Sequence, residues 1–299
     1  MNYFNIHADD YAISLHSSTD ILSLVKDGLI DSLSILPNMP CFEDAMDLLT
    51  PYLTSSRPFL NISIHLNFME GKCCCNSSKV PYLVDKNGYF KTTWFSLLAN
   101  SFNPFRYQKI KSQLKLEIEA QIDKVLPFLP LGYQLHLDSH QHTHMIPIVW
   151  QACKEIIKEQ HYSITFIRLA KEPIIPHMKA FSLHNTYPIA NTIKNILLNI
   201  LSVPIEKDLQ KRRIHYELLW GLNLSGNMNY EQICKIKPYM ESYAMKKHKT
   251  IEMLFHPGRV LPEEITSSNT KLGFVKFHLS PNRQKEYETI LYLHNFQRI

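Results

Sequence analysis

The chain of 299 residues has room for one large domain or two average ones, and its 45% hydrophobic and 20% charged residues are ordinary for a globular protein. A formal charge of +5, from 32 basic and 27 acidic residues, is too mild to mark a nucleic-acid binder, and the densest charged run, 206–213, mixes both signs as a solvated face does. The first residues carry acids where a secretory leader would be apolar, and the most apolar stretch, 193–205, is too short and polar to cross a bilayer, so a cytoplasmic protein without a membrane partner is expected.

Residues 2–8 alternate loosely and lead into Asp9-Asp10, which predicts a short strand with two acids at its C-terminal end. A helix follows over 20–27, with Ser17, Ser18 or Thr19 as its N-cap and Gly28 at its end. A second strand is expected over 31–36, a helix over 40–49, and a third strand over 59–66 that delivers His65. This βαβαβ rhythm predicts a parallel sheet or barrel. Residues 68–105 break it with Cys73-Cys74-Cys75, Pro81, Lys86-Asn87-Gly88, Phe90, Trp94 and Phe95, and read as a long excursion over the strand ends, a candidate lid. Three cysteines in a row match neither a disulfide framework nor a Cys-x-x-Cys zinc pattern, so they are read as free thiols in a loop.

Apolar residues recur about every four positions at Ile110, Leu114, Ile118, Ile122 and Leu126, predicting a helix over 108–128. A strand over 133–138, a helix over 147–160 and a strand over 163–169 carrying Arg168 come next. Residues 171–225 are less regular apart from a helix over 190–202. A helix over 229–247, a strand over 250–255 ending in His256-Pro257-Gly258, and a last helix over 281–296 complete the chain. No repeat or linker marks a boundary, so 1–299 is expected to be one domain.

Residues 136–144 read His-Leu-Asp-Ser-His-Gln-His-Thr-His, placing His136, Asp138, His140, His142 and His144 on alternate positions. In an extended strand these would share a face, but neighbours on it sit roughly 6.6 Å apart and the run would span about 26 Å. One metal cannot hold all five. His136 is expected to hydrogen-bond within the barrel and Asp138 to orient a ligating histidine or to cap. His142 and His144 are expected to touch substrate or fix the loop. Asp9, Asp10, His65, His140, Arg168 and His256 all fall at the C-terminal ends of predicted parallel strands, the edge where active sites form in barrels and open α/β sheets. A carboxylate with two imidazoles suits a divalent metal with open positions. A second carboxylate can act as base, and a histidine opposite can protonate a leaving group. These are the parts of a metal-assisted hydrolase of an amide or ester.

In order, these motifs resemble the YdjC-like carbohydrate deacetylases. His7-Ala8-Asp9-Asp10-Tyr11 is similar to that family's Asn-Ala-Asp-Asp-Phe, and Ile64-His65-Leu66-Asn67 with Glu70-Gly71 to its Gly-x-His-Leu block. The histidine run at 136–144 resembles its Asp-x-His-x-His-x-His signature, and Phe166-Ile167-Arg168, 221–226 and Glu252-x-x-x-His256-Pro257-Gly258 follow in order. The resemblance covers about 2–258. It implies an α/β fold, a (β/α)-barrel that is distorted or seven-stranded, and removal of N-acetyl groups from amino sugars with one divalent metal ion, magnesium or zinc. Carried onto this chain it makes Asp10, His65 and His140 the metal ligands, Asp9 the proton acceptor and His256 the general acid. Arg168 becomes a candidate for orienting a carboxylate or the substrate, though it could simply pair with Asp138 or Asp9, and His142 and His144 fall at the substrate. The partner is a carbohydrate, with a homodimer as the candidate assembly. His7 replaces the family's Asn, and Tyr11-Ala12 replaces its Phe-Gly, so Ala12 must avoid positive φ or carry strain. Asn67 and Phe68 also depart from the pattern. The competing readings are a metal-dependent phosphoester hydrolase and a sugar-binding relative without turnover; the intact Asp9-Asp10 pair argues against the second.

Overall fold

Seven parallel strands, β1 (Phe4–Tyr11), β2 (Ser32–Ile35), β3 (Asn61–Leu66), β4 (Leu135–Ser139), β5 (Ile164–Ile167), β6 (Leu218–Trp220) and β7 (Ile251–Phe255), form one sheet in the order β5-β4-β3-β2-β1-β7-β6. The structure is a computed structural model that describes residues 3–53, 60–266 and 271–296. Phe59, expected at the start of the third strand, lies outside them. The sheet curls until its edges meet: Ile167 N donates to His215 O at 3.1 Å and His215 N to Thr165 O at 2.9 Å, just ahead of β6. The expected seven-stranded barrel architecture is what forms.

Around it lie α1 (Leu15–Lys26), α2 (Phe42–Leu53), α3 (Trp94–Asn100), α4 (Tyr107–Val125), α5 (Pro147–Glu159), α6 (Ile174–Lys179), α7 (Ile189–Arg212), α8 (Tyr230–Lys247), α9 (Leu272–His278) and α10 (Asn282–Phe296). Side chains alternate across each strand. Ala8, Leu33, Ile35, Ile62, Ile64 and Leu137 are fully buried in the apolar core. The opposite face carries His7, Ser32, Ser34, His65, Asp138 and Glu252, all buried too. Parallel strands usually read as continuous apolar runs because both faces are covered by hydrocarbon. Here the barrel interior is polar, and its groups satisfy one another: His7 Nδ1 bonds Ser32 Oγ at 2.6 Å and Nε2 bonds Ser34 Oγ at 2.7 Å.

Three sequence expectations shift. α1 starts earlier, capped by Ser14, whose side chain accepts from Ser17 N at 3.1 Å. α7 runs on to Arg212 rather than stopping at 202, carrying Pro204 inside it. β6, α6 and α9 were not foreseen, because elements of three to seven residues are too short to show a period. Among the described residues no helix is long and apolar enough to cross a membrane.

Candidate active site

In a regular strand Asp9 and Asp10 would point to opposite faces. The register of β1 against β2 slips between Ala8 and Tyr11, and Asp10 sits at φ +66°, so the strand bulges and both carboxylates reach the same cleft. Ala12, at φ +70°, takes the strained left-handed conformation that the loss of the family's glycine allowed for. Such a residue costs about 1–2 kcal/mol, and Ser18 Oγ helps hold it by accepting from Ala12 N at 3.0 Å.

Asp9 is 2% exposed. Arg168 grips it from two sides, Nη1 to Oδ2 at 3.0 Å and Nη2 to Oδ1 at 2.9 Å, and His7 Nε2 lies 3.1 Å from Oδ1. Burial alone pushes this carboxyl up, but Arg168, His65 and His7 together hold it well below the usual range, so it is ionised. Arg168 also donates from Nε to Glu252 Oε1 at 2.6 Å and lies 3.0 Å from Asp138 Oδ2. Of the two expectations for Arg168, the pairing with Asp9 and Asp138 is what forms: it is 1% exposed and absent from the cleft wall, and its fork serves three buried carboxylates.

Asp138 Oδ1 bonds His65 Nδ1 at 2.7 Å, while Ser34 Oγ donates to Oδ2. A carboxylate only accepts, so Nδ1 carries a proton and Nε2 is the ring position left for a second proton or for a cation in its place. That nitrogen points to Asp10 Oδ1 at 3.5 Å and Asp9 Oδ2 at 3.9 Å. Burial disfavours a charged ring, yet Asp9 and Asp138 overcome it and lift His65 to about 10, a measure of how strongly this spot attracts positive charge. His140 Nδ1 lies 3.0 Å from Asp10 Oδ1. Asp10, His65 and His140 each bring one ligand atom within 4.8 Å of the others. Asp10 Oδ2 is buried with no hydrogen-bond partner, although His140, His65 and His278 overcome burial and keep the carboxyl ionised. A buried anionic oxygen without a partner is costly, and a cation held by these three residues removes the cost. His7, Asp9 and Asp138 are also close enough to chelate, but there the Arg168 guanidinium already supplies the positive charge.

For a divalent ion offered to Asp10, His65 and His140, Asp138→Asn is therefore expected to weaken binding by about 10- to 100-fold, through loss of the group that orients the His65 ring. Calorimetric titration of the metal-stripped protein checks this, and an unchanged affinity would refute the orienting role.

Across the cleft, His256 follows β7 with Nε2 3.9 Å from Asp9 Oδ2 and its ring edge-on to Phe277 at 5.1 Å. Burial lowers its pKa against the pull of Asp10, Asp9 and Glu286, so the resting ring is neutral. β4 stops at Ser139, one residue past the strand expected over 133–138, and Gln141 and His142 turn the chain at φ +54° and +59°. His142 borders the cleft with Nδ1 unpartnered. His144 does not: it is fully buried, with Nδ1 2.6 Å from Ser139 Oγ and Nε2 2.8 Å from Arg168 O, which makes it a brace for the turn. His136, expected to hydrogen-bond, instead lays its ring against Phe166 with centroids 4.9 Å apart.

Burial lowers both His136 and His144 to about 4. An unfolded histidine binds its proton near pH 6.5, so stability is fully present above that value and falls as pH drops towards 4. For the fully buried His144 the loss is about 3 kcal/mol. Urea midpoints measured from neutral pH downwards should decline through this window; a flat profile would contradict it.

The cleft, about 300 Å³, is also bordered by residues that sequence reasoning did not select. Asn191 and Lys194 come from α7, and Phe274, Phe277 and His278 from α9. His278 Nε2 lies 3.8 Å from Asp10 Oδ2, and burial lowers its pKa to about 3. Burial likewise brings Lys194 down to about 8. No motif marks these positions. The segment 68–105 contributes none of the bordering residues; Trp94 packs edge-on to Phe95 at 5.8 Å. It reaches the cleft's cover indirectly, where Lys271 Nζ donates to Met69 O just before α9.

The profile of a family described as YdjC-like protein matches residues 4–293. Relatives named carbohydrate deacetylase include one from Thermoanaerobacter pseudethanolicus, 30% identical over 176 residues that cover 58% of this chain and 64% of that protein. Another, from Clostridium beijerinckii, is 25% identical over 258 residues, covering 83% and 89%. The chain thus spans just under two thirds of the first relative, and 65% of one from Geobacillus stearothermophilus. Among solved structures, a protein from Enterococcus faecalis V583, proposed to be a cellobiose-phosphate cleavage protein, superposes with a TM-score of 0.58 at 18% identity, over 97% of this chain and 95% of that one. At that identity it shows the shared fold.

Proposed function

Given that the chain belongs to the YdjC-like family, we propose that its cleft hydrolyses the N-acetyl group of an amino sugar or sugar conjugate, with one divalent metal ion held by Asp10, His65 and His140. The observation that carries this is the orphaned, ionised Asp10 Oδ2 among two imidazoles, with a further carboxylate and a neutral histidine 3.9 Å from each other at its edge. When bound, the ion supplies Lewis acidity for a water and for the acetyl carbonyl. Two imidazoles favour zinc over magnesium, which prefers oxygen donors.

The remaining work falls to the chain's own side chains. Asp9 accepts the proton of the attacking water at Oδ2, the oxygen nearest His65 and His256. Arg168 keeps that carboxylate ionised and immobile, so proton transfer starts from a fixed geometry. His256, neutral at rest with Nε2 3.9 Å from Asp9 Oδ2, takes up the proton that Asp9 has accepted from the water and hands it to the departing amine. Phe277 offers an apolar face, and His142 and Lys194 offer polar contacts, where the sugar would lie. A phosphoester hydrolase would want a cationic cradle; with Arg168 engaged, Lys194 is the single Lys or Arg among the described residues bordering the cleft.

Acetate release from N-acetylglucosamine and its oligomers, run beside phosphate release from an aryl phosphate, tests the reading. Acetate release that a chelator abolishes and zinc restores is expected. Phosphate release alone, or acetate release indifferent to the chelator, would overturn it.

A further inference from the structure

The three consecutive cysteines do not face the strand-end cleft. The loop leaving β3 folds them against α4, where Cys73 Sγ, Cys75 Sγ and a carboxylate oxygen of Glu117 lie within 4.8 Å of one another. Glu117 is fully buried. Its Oε1 accepts from Cys74 N at 2.9 Å and Gln121 Nε2 at 2.8 Å, and its Oε2 from Cys75 N at 3.1 Å. No Lys, Arg or His among the described residues pairs with it; Lys124, on the same helix, lies by Glu43 at 3.7 Å. A buried carboxylate held only by neutral donors lacks compensating charge. Cys73 Sγ donates to Cys75 O at 3.3 Å and Cys75 Sγ to Asn76 O at 3.9 Å, so neither thiol neutralises the carboxylate.

We propose that Cys73, Cys75 and Glu117 form a second cation site, selective for a thiophilic divalent ion of the zinc class, that ties the loop after β3 to α4. Two sulfurs select against magnesium and calcium. Both thiols are partly exposed, which leaves a way in and an open fourth position for water. On binding, each thiol loses its proton to solvent, two per ion, and the two thiolates with the carboxylate leave the site with one net negative charge. The attachment extends beyond the loop. Gln121 Nε2 also donates to Asn67 O at 2.7 Å and Gln121 Oε1 accepts from Asn67 N at 2.8 Å, so the same helix turn grips the chain just beyond His65. The inference stands apart from the deacetylase reading, since none of its three ligands borders the cleft.

Cadmium titration of the reduced, metal-stripped chain distinguishes the two sites, because thiolate ligands give an ultraviolet charge-transfer absorption that an Asp/His centre cannot. The absorption should saturate at one ion per chain, disappear in Cys73→Ser/Cys75→Ser, and be displaced by zinc. Should the double variant not fold, Glu117→Gln keeps the shape and the thiols and should weaken cadmium binding by at least about tenfold. Absence of the absorption in the parent protein overturns the site. So does its persistence in a folded double variant, which would assign it to Cys41, Cys74, Cys153 or Cys234, or a Glu117→Gln affinity equal to the parent's.

Discussion

Arg168→Met is expected to lower the unfolding free energy by about 3–5 kcal/mol, the range for breaking a buried ion pair from one side. Against a total stability of roughly 5–15 kcal/mol, that is enough to leave a large unfolded fraction under mild conditions. The guanidinium touches Asp9, Glu252 and Asp138 at 2.6–3.0 Å, and all three carboxylates are buried inside the barrel. Without it their carboxyl pKa values rise, since burial is then less opposed. A group raised above its unfolded value loses stability as pH increases, so the deficit of the variant should be smaller in mild acid than at neutral pH. Arg168→Lys should recover part of the loss, because a point charge cannot bridge three carboxylates as a planar fork does. Urea unfolding at two pH values checks both statements, and a parent-like midpoint for the methionine variant would exclude this account of the barrel interior.

The second large effect concerns turnover. Asp9→Asn should reduce kcat by about 10²–10⁴-fold, the usual contribution of a positioned base, while zinc affinity stays close to the parent's because Asp10, His65 and His140 are unchanged. The amide retains one oxygen for Arg168, so the fold should survive. His140→Ala removes one of the three proposed ligands and should lose metal and turnover together. Metal content by mass spectrometry alongside acetate release separates the two variants. Parent-level turnover in Asp9→Asn would rule Asp9 out as the proton acceptor.

Asp9, Asp10, His65, His140 and His256 were legible in the sequence because each closes or follows a strand whose apolar residues alternate with polar ones. That alternation is itself a product of the polar barrel interior, which left Ser34, Ser63 and His136 between hydrophobic neighbours. For Arg168 the sequence left two roles open, a contact with substrate or a pairing with Asp9 or Asp138, and did not point to Glu252. Its partners come from β1, β4 and β7, and only their arrangement across the barrel decides that the guanidinium faces three acids rather than solvent. His144 fixes the loop, one of its two expected roles, because the strand stops at Ser139 and two left-handed residues bring its ring to Ser139 Oγ and Arg168 O. Lys194 and His278 had no signal at all, since they reach the cleft through the packing of α7 and α9.

By itself the sequence determined the βα order, the parallel sheet and the strand ends at which chemistry gathers, because periodicity and chain order are local properties. Only the tertiary structure decided which of those groups meet. Asp10 turns beside Asp9 through a bulge at φ +66°, Asp138 holds His65 at 2.7 Å, and Glu117 comes to Cys73 and Cys75 from another element. Each of these depends on distances between strands and helices far apart in the chain, and such distances follow from closing the barrel and burying its charges in pairs.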